Sequence, residues 1–282
     1  MKTVIIYGGQ GNVQSKHLCQ LVKTPKGEIL FSKLQATDLE SYQLMMDVIN
    51  YKVSLDNVHA SMLANFLYND WLTNDEKIVS GIGFSAHSAG IFNVLYASGS
   101  TSFENIIHFI KRRAQLIENC HVSEELWLLM VENIDMFSKD VLKEQSEKVK
   151  LAIITDDRAG VIAMDQVNRS FFDDVMTNKG YFYKLKQLGV KAPYHTDFLN
   201  ESKEQYKQLI ESLDISQNDD YDYIFHCDQL VDEILYQWTN LFNWRAIKET
   251  IIEKDAEIID ISPNRFISSQ LQKMKKRGRK QL

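Results

Sequence analysis

The sequence predicts an α/β fold built around a parallel sheet. Short β-branched segments alternate with longer amphipathic stretches, and a glycine-rich turn follows the first strand-like segment. The length of 282 residues accommodates one large core or two modest ones. Hydrophobic residues make up 44% of the chain and charged residues 25%, as in ordinary globular proteins, so the chain is expected to fold without a partner.

Charge, cysteine content and the N-terminus exclude several classes of protein. The net charge of -6 offers no overall basic face to nucleic acid. Cys19, Cys120 and Cys227 are odd in number and have no C-x-x-C spacing, which argues against a disulfide framework and a thiolate zinc site. The first apolar run is too short for a secretory signal or a membrane span. A cytoplasmic protein is expected, with no membrane or nucleic-acid partner.

The first half of the chain alternates strands and helices. Thr3–Tyr7 is a β-branched run that ends at two glycines, which is typical of a buried strand entering a tight turn. Residues 38–70 carry apolar side chains at helical spacing. The elements predicted next are a strand at 78–84 and helices at 89–97 and 103–119, the last with Thr101 and Ser102 as candidate caps.

Shorter units from Val149 onward predict a small inserted α+β subdomain. We assign residues 123–192 to it, and residues 1–122 and 193–282 to the core. The last ten residues hold six cations, as a solvated and frayed end often does. The predicted elements are strands at 151–154, 161–163 and 181–185, a helix at 166–176, and then a helix at 231–241 and a strand at 257–261 in the core.

The second strand leads into a predicted nucleophile elbow, a sharp strand-to-helix turn that presents a serine. Ser88 has the small residues Ala86 and Gly90 two positions to either side, as the crowded turn requires. The backbone N–H of Ala89 can then point at a developing oxyanion. Ser85 is a rival that lacks the following glycine. The alternative to an elbow is an ordinary loop with Ser88 as a helix cap.

A nucleophilic serine needs a base, and the chain has seven histidines. His87 is adjacent in sequence, but neighbouring side chains on a sharp turn point apart. His195 lies in a proline-containing loop after the inserted unit, and in α/β-hydrolase-like sheets the histidine follows the serine in chain order. His195 is therefore the better candidate, while a satisfied structural histidine remains the alternative.

The glycine-rich turn that contains Gln10 invites comparison with phosphate-binding loops. It lacks the third glycine of G-x-G-x-x-G, and no Gly-Lys-Ser/Thr follows, which argues against a dinucleotide or nucleoside triphosphate site. The turn can instead bring backbone N–H groups and Gln10 close to a substrate carbonyl. A plain tight turn is the alternative.

Taken together, these segments resemble the malonyl-coenzyme A:acyl carrier protein transacylases, including the acyltransferases of polyketide synthases. The resemblance spans most of the chain, with five motifs in the family's order. They are Tyr7–Asn12 for F-P-G-Q-G-S, Ala86–Gly90 for G-H-S-x-G, Arg113 for the arginine on the next helix, Pro193–Thr196 for the motif ending in the catalytic histidine, and Gln237 with Trp244 for the late glutamine-to-tryptophan segment.

The resemblance implies an α/β-hydrolase-like core with a ferredoxin-like inserted subdomain, and a ping-pong acyl transfer. His195 would deprotonate Ser88, which attacks the thioester of malonyl-CoA. The N–H groups of Gln10 and Ala89 would hold the oxyanion. An acyl carrier protein would accept the malonyl group on its phosphopantetheine thiol. The family steadies its histidine with backbone carbonyls, one near Gln237, so no third acid, cofactor or metal is implied.

Substrate selection follows from the same resemblance. The guanidinium of Arg113 can pair in bidentate fashion with the free carboxylate of a malonyl group. Lys111 and Arg112 are the neighbouring cations, and any of the three could instead belong to a solvated helix face. The bulky Tyr194 is similar to the residue found in malonyl-selective members. The residues expected to contact substrate are His87, Arg113, Tyr194 and Gln237.

Two alternatives from other functional classes stay open. An acyl-carrier-protein hydrolase of the same fold would use the same serine and histidine, although Arg113 argues against it. A non-catalytic docking scaffold is the other, and the intact site residues argue against that. Ala86 in place of the first elbow glycine and Met164 in place of a common glycine are departures from the family pattern. The pathway, fatty acid or polyketide, and the oligomeric state stay open, with a monomer expected.

Overall fold

A computed structural model of the chain describes residues 2–145 and 147–278, with side chains as far as Met274. Two sheets and their covering helices make up the fold, and the predicted α/β class with a parallel sheet is confirmed. The strands are β1 (Thr3–Tyr7), β2 (Gly83–Ala86), β3 (Glu124–Val131), β4 (Val149–Asp156), β5 (Ala159–Asp165), β6 (Tyr183–Gln187), β7 (Asp222–Tyr223), β8 (Phe242–Asn243) and β9 (Glu257–Ile261). The helices are α1 (Ser15–Leu21), α2 (Pro25–Thr37), α3 (Leu39–Ile49), α4 (Val58–Leu72), α5 (Ile91–Ala97), α6 (Phe103–Asn119), α7 (Ile134–Phe137), α8 (Lys143–Gln145), α9 (Arg169–Asn178), α10 (Lys203–Glu211), α11 (Leu230–Thr239), α12 (Trp244–Glu253) and α13 (Phe266–Gly278).

The first sheet is parallel throughout and has the strand order β7-β2-β1-β9. Tyr7 at the end of β1 is in register with Ala86 on one side and Ile261 on the other. The carboxyl ends of the three strands are therefore level. The turns that follow them lie side by side, where open α/β sheets place their ligands.

Helix α6 shows how the sequence sets a long element. It spans Phe103–Asn119 as predicted, and the hydroxyl of its cap Ser102 accepts a hydrogen bond from the N–H of Asn105 at 3.1 Å. Apolar side chains along one face, from Phe103 to Ile117, are buried in the main core. Arg113 lies on this same buried face, so the packing of α6 carries a cation into the interior.

The second sheet has the order β6-β3-β5-β4-β8. Its first four strands are antiparallel and, with the intervening helices, follow the βαββαβ order of a ferredoxin-like unit, as predicted. The fifth strand, β8, comes from the later core segment and pairs in parallel with β4. The division at 123 and 192 itself stays a prediction.

Several elements differ from the predicted ones. The strand expected at 78–84 begins only at Gly83, because Gly81 turns the chain at φ +80° and pairing with β1 starts at Val4. Helices α1 and α2 and strand β3 were not predicted. At the α1–α2 junction a Cβ on Gly27 would lie 1.9 Å from the carbonyl oxygen of Leu21, so a close contact between the two segments, invisible in the pattern, places glycine inside a helix.

Within residues 2–145 and 147–278, no helix is both long enough and apolar enough to cross a membrane. The same residues contain no group of three or more acidic, histidine or cysteine side chains that could hold a metal ion. The three cysteines are unpaired and partly buried. Of the basic segment at 273–280, the side chains after Met274 and residues 279–282 lie outside the described part, so the expected frayed end stays a prediction.

Candidate active site

The turn after β2 has the geometry of a nucleophile elbow. Ser88 has φ +49°, in the left-handed region that non-glycine residues rarely adopt. A Cβ on Gly90 would lie 2.7 Å from the carbonyl oxygen of Tyr7 and 2.8 Å from that of Gly8, so only glycine fits there. The rival Ser85 is fully buried and donates its hydroxyl hydrogen to the Ile224 carbonyl at 2.8 Å. Ser85 is therefore engaged in the sheet.

The fold brings Ser88 and His195 together across 107 residues of sequence. The Ser88 Oγ and His195 Nε2 atoms are 2.7 Å apart, within hydrogen-bond distance. His195 is 2% exposed and has φ +65°, in a loop closed by the Thr196 hydroxyl, which donates to the Pro193 carbonyl at 2.6 Å. The serine and the imidazole thus have the contact that general-base activation requires.

The environment of His195 keeps its imidazole neutral. Burial lowers the pKa of His195 to about 3, and nearby His87 and Arg113 lower it further. The backbone carbonyl of Gln237 acts in the opposite direction, as an acceptor beside the ring does, although Nδ1 makes no hydrogen bond of full geometry. A neutral ring can accept the serine proton at any pH well above 3.

Arg113 is a buried cation without an anionic partner. The residue is 7% exposed. Among the described side chains, no ion pair involves its guanidinium. Nη1 donates to the thioether sulfur of Met62 at 2.9 Å, and Nε has no partner. The neighbouring cations differ, because Lys111 pairs with Asp38 at 3.2 Å and Arg112 is exposed.

Aromatic rings surround the Arg113 guanidinium. Its central carbon lies 4.2 Å from the ring centroid of Tyr194 and 5.2 Å from that of Trp238. Phe92 and Tyr206 lie at 5.7 and 5.8 Å. We call these four rings the aromatic box. Tyr194 directly precedes His195, and the guanidinium is close enough to lower the pKa of the His195 imidazole, so the box adjoins the serine–histidine pair.

One predicted oxyanion donor lies in the elbow, and the other lies in the turn after β1 that packs on it. Ala89 is buried in the short helical turn that begins at Ser88. Gln10 is partly exposed in the turn after β1. A Cβ on its neighbour Gly9 would lie 2.5 Å from the carbonyl oxygen of His87, so this turn packs directly on the elbow. The assignment of both N–H groups to the oxyanion stays a prediction.

Two residues predicted to contact substrate, His87 and Gln237, lie outside the aromatic box. The His87 ring meets the rings of Phe242, Trp244 and Phe266 edge-on, at 5.6, 5.3 and 5.9 Å, and burial lowers its pKa to about 4. The side chain of Gln237 is buried and donates to Glu233 at 2.8 Å. Neither side chain belongs to the aromatic box, and their contact with substrate stays a prediction.

Sequence reasoning missed Met62, Trp238 and Glu233. The first two follow the apolar patterns of their helices and are indistinguishable there from ordinary core residues. Glu233 precedes Gln237 by four residues, a spacing that places both on one helix face and could have indicated their hydrogen bond.

Comparisons with known proteins place this geometry in a wider context. No protein-family model matches the chain. The malonyl CoA-acyl carrier protein transacylase of Buchnera aphidicola subsp. Schizaphis graminum is 21% identical over 290 residues, which cover 95% of this chain and 91% of that protein. The polyketide biosynthesis protein PksE of Bacillus subtilis is 22% identical over 207 residues, which cover 68% of this chain and only 26% of PksE.

Solved structures give the decisive match. FabD from Acinetobacter baumannii superposes with a TM-score of 0.82 at 16% identity, over 96% of this chain and 90% of that one. The chain has the malonyl transacylase fold. A second malonyl-transacylase, PlMCAT, solved with the type II polyketide synthase acyl-carrier protein AntF, superposes with a TM-score of 0.80 at 16% identity, over 96% and 92% of the two chains. The predicted resemblance to the malonyl transacylases is confirmed.

The neutral state of His195 predicts how Ser88 reactivity depends on pH. The rate at which a small uncharged fluorophosphonate modifies Ser88 should stay nearly constant from pH 8 to pH 5, because the pKa of His195 is lowered to about 3. A histidine with the ordinary pKa of about 6.5 would lose roughly 30-fold over that range. Ser88→Ala is the control for labelling elsewhere, and a decline with its midpoint near pH 6.5 would contradict the burial argument.

Proposed function

We propose that this chain transfers a malonyl group from coenzyme A to the phosphopantetheine thiol of an acyl carrier protein. The observation that carries the proposal is the unpaired, buried guanidinium of Arg113 beside the Ser88–His195 pair. A serine and a neutral imidazole supply acyl transfer of many kinds. The cation restricts the acyl group to one with a free negative charge.

The first half-reaction forms a malonyl ester on Ser88. As Oγ attacks the thioester carbonyl, its proton moves to Nε2 of His195. The carbonyl oxygen becomes an oxyanion, which the N–H groups of Ala89 and Gln10 stabilise. The carbon–sulfur bond then breaks, and the departing coenzyme A thiolate takes the proton from His195.

The second half-reaction uses the same groups in reverse. The phosphopantetheine thiol gives its proton to His195 and attacks the ester carbonyl, and the oxyanion forms again in the same place. The bond between the carbonyl carbon and Oγ breaks, and Ser88 recovers the proton from His195. Coenzyme A enters only as part of the substrate, and neither step calls on another cofactor.

Arg113 supplies selection between acyl groups. A thioether is a weak hydrogen-bond acceptor, so a malonyl carboxylate is a far better partner for the guanidinium than the sulfur of Met62. An acetyl group would leave the cation buried without an anion, as it is in the free protein, and so would gain none of the several kcal/mol that pairing with a carboxylate supplies. Hydrolysis is not favoured, because a hydrolase acting on neutral acyl groups would have no use for this charge.

The supply of malonyl groups to fatty acid or polyketide synthesis follows as a proposed role. The name of PksE connects that protein with polyketide synthesis, and the name of the Buchnera relative gives the malonyl transfer to an acyl carrier protein.

The proposed reaction is tested with malonyl-CoA that carries labelled malonate. The intact protein should gain one malonyl group, and the label should pass to an added holo acyl carrier protein, because the ester on Ser88 is a true intermediate. Ser88→Ala should gain none. Rapid release of free malonate without transfer would establish hydrolysis instead, and the absence of any adduct would indicate a scaffold.

The role of Arg113 is tested by substitution with a matched control. Arg113→Ala should lower kcat/KM for malonyl-CoA by roughly 100-fold, equivalent to about 3 kcal/mol, because a charge-assisted bidentate pair is lost. The value for acetyl-CoA should stay or rise. The exposed neighbour Arg112→Ala removes the same charge outside the site and should change neither value. An equal fall for both substrates would refute carboxylate pairing.

A further inference from the structure

Helix α11 carries a buried carboxylate that the proposed reaction does not use. Glu233 is 0% exposed, and its two oxygens accept four hydrogen bonds. The backbone N–H groups of His226 and Cys227 both donate at 3.0 Å, His226 Nδ1 lies at 3.1 Å, and Gln237 Nε2 at 2.8 Å. A fully buried carboxylate is stable only when hydrogen-bond donors satisfy its oxygens. Moving any of the four donors would therefore cost free energy, and their positions are fixed relative to Glu233.

His226 extends this network to strand β8. Its Nε2 atom accepts the backbone N–H of Asn243 at 3.0 Å, so the ring hydrogen is on Nδ1 and is donated to Glu233. The ring also stacks on Tyr236 at 4.9 Å and meets Phe242 at 5.1 Å. One imidazole thus ties the strand that carries Phe242 to helix α11.

The same two elements supply both supports of the His195 imidazole. Phe242 stacks on the ring with a centroid distance of 5.2 Å and an interplanar angle of 30°. The backbone carbonyl of Gln237 lies close enough to the ring to raise the pKa of His195, against the larger lowering by burial. For Nε2 to accept the serine proton, the ring hydrogen must be on Nδ1. Nδ1 makes no hydrogen bond of full geometry to the described residues, so the stacking on Phe242 sets the plane of the ring and the Gln237 carbonyl acts on it as a nearby dipole.

We propose that Glu233 and His226 form a positioning pair that orients His195 toward Ser88. The inference rests on the proposed acyl transfer and deepens it. Glu233 fixes the last turn of α11 through Gln237, and His226 fixes β8 through Asn243. The resemblance to the malonyl transacylases implies no acid that completes a triad with His195. Here the carboxylate of Glu233 acts on His195 indirectly, through helix α11 and strand β8.

The isosteric variant Glu233→Gln tests the pair. Glutamine offers one acceptor oxygen, and its amide would face two of the four donors, so α11 and β8 must shift. The rate of Ser88 malonylation in a single turnover, and the rate of its modification by an uncharged fluorophosphonate, should both fall about 10- to 100-fold, as misplacing a catalytic group by an ångström does. KM for malonyl-CoA and the malonyl-to-acetyl ratio should change far less than these rates, because Arg113 lies on α6 and only Trp238 of its box belongs to α11.

Glu249→Gln is the matched control, since it removes the same charge from an exposed position on α12 and should leave every rate unchanged. If Glu233→Gln does not fold, the same two rates are measured on Gln237→Met. This variant keeps the backbone carbonyl but removes the amide that reaches Glu233, so both rates should again fall. Unchanged rates in the folded variant, or a loss of rate accompanied by an equal loss of the malonyl-to-acetyl ratio, would overturn the proposal. The fluorophosphonate rate still reports on His195 if malonyl transfer itself proves wrong, so the two failures are distinguishable.

Discussion

The buried charge of Arg113 is the constraint on which the rest of the site depends. A guanidinium in the interior is costly unless an anion pairs with it, and this one has aromatic rings and a thioether as neighbours. The rings contribute cation–π attraction but cannot neutralise the charge. The folded protein thus holds an unneutralised positive charge beside its nucleophile, and a substrate that carries a carboxylate can neutralise it.

The charge stays buried because several independent contacts hold the surrounding elements in place. Helix α6 is capped by Ser102 and packed along one face, and Arg113 lies on that buried face. The elbow is fixed in a similar way, since Gly90 packs against the carbonyl oxygens of Tyr7 and Gly8. The left-handed backbone of Ser88 is strained locally, and this packing holds it.

The sequence patterns predicted those elements that depend on interactions between residues close together in the chain. The spans of β1, β9 and α6 follow from β-branched runs and from a capped amphipathic stretch, and the motifs around Ser88 and His195 lie where the family order puts them. The pairing of β8 with β4, the close α1–α2 contact at Gly27 and the hydrogen bonds of Glu233 to His226 and Cys227 depend on residues brought together by the tertiary fold. No periodicity records such contacts, so they could not be predicted.

A crystal structure of the protein carrying a malonyl ester on Ser88 would test the central claim most directly. We expect the free carboxylate to lie within hydrogen-bond distance of the Arg113 guanidinium, in bidentate fashion, with the sulfur of Met62 displaced from Nη1. A malonyl carboxylate that points into solvent, with Met62 still on the guanidinium, would contradict the account.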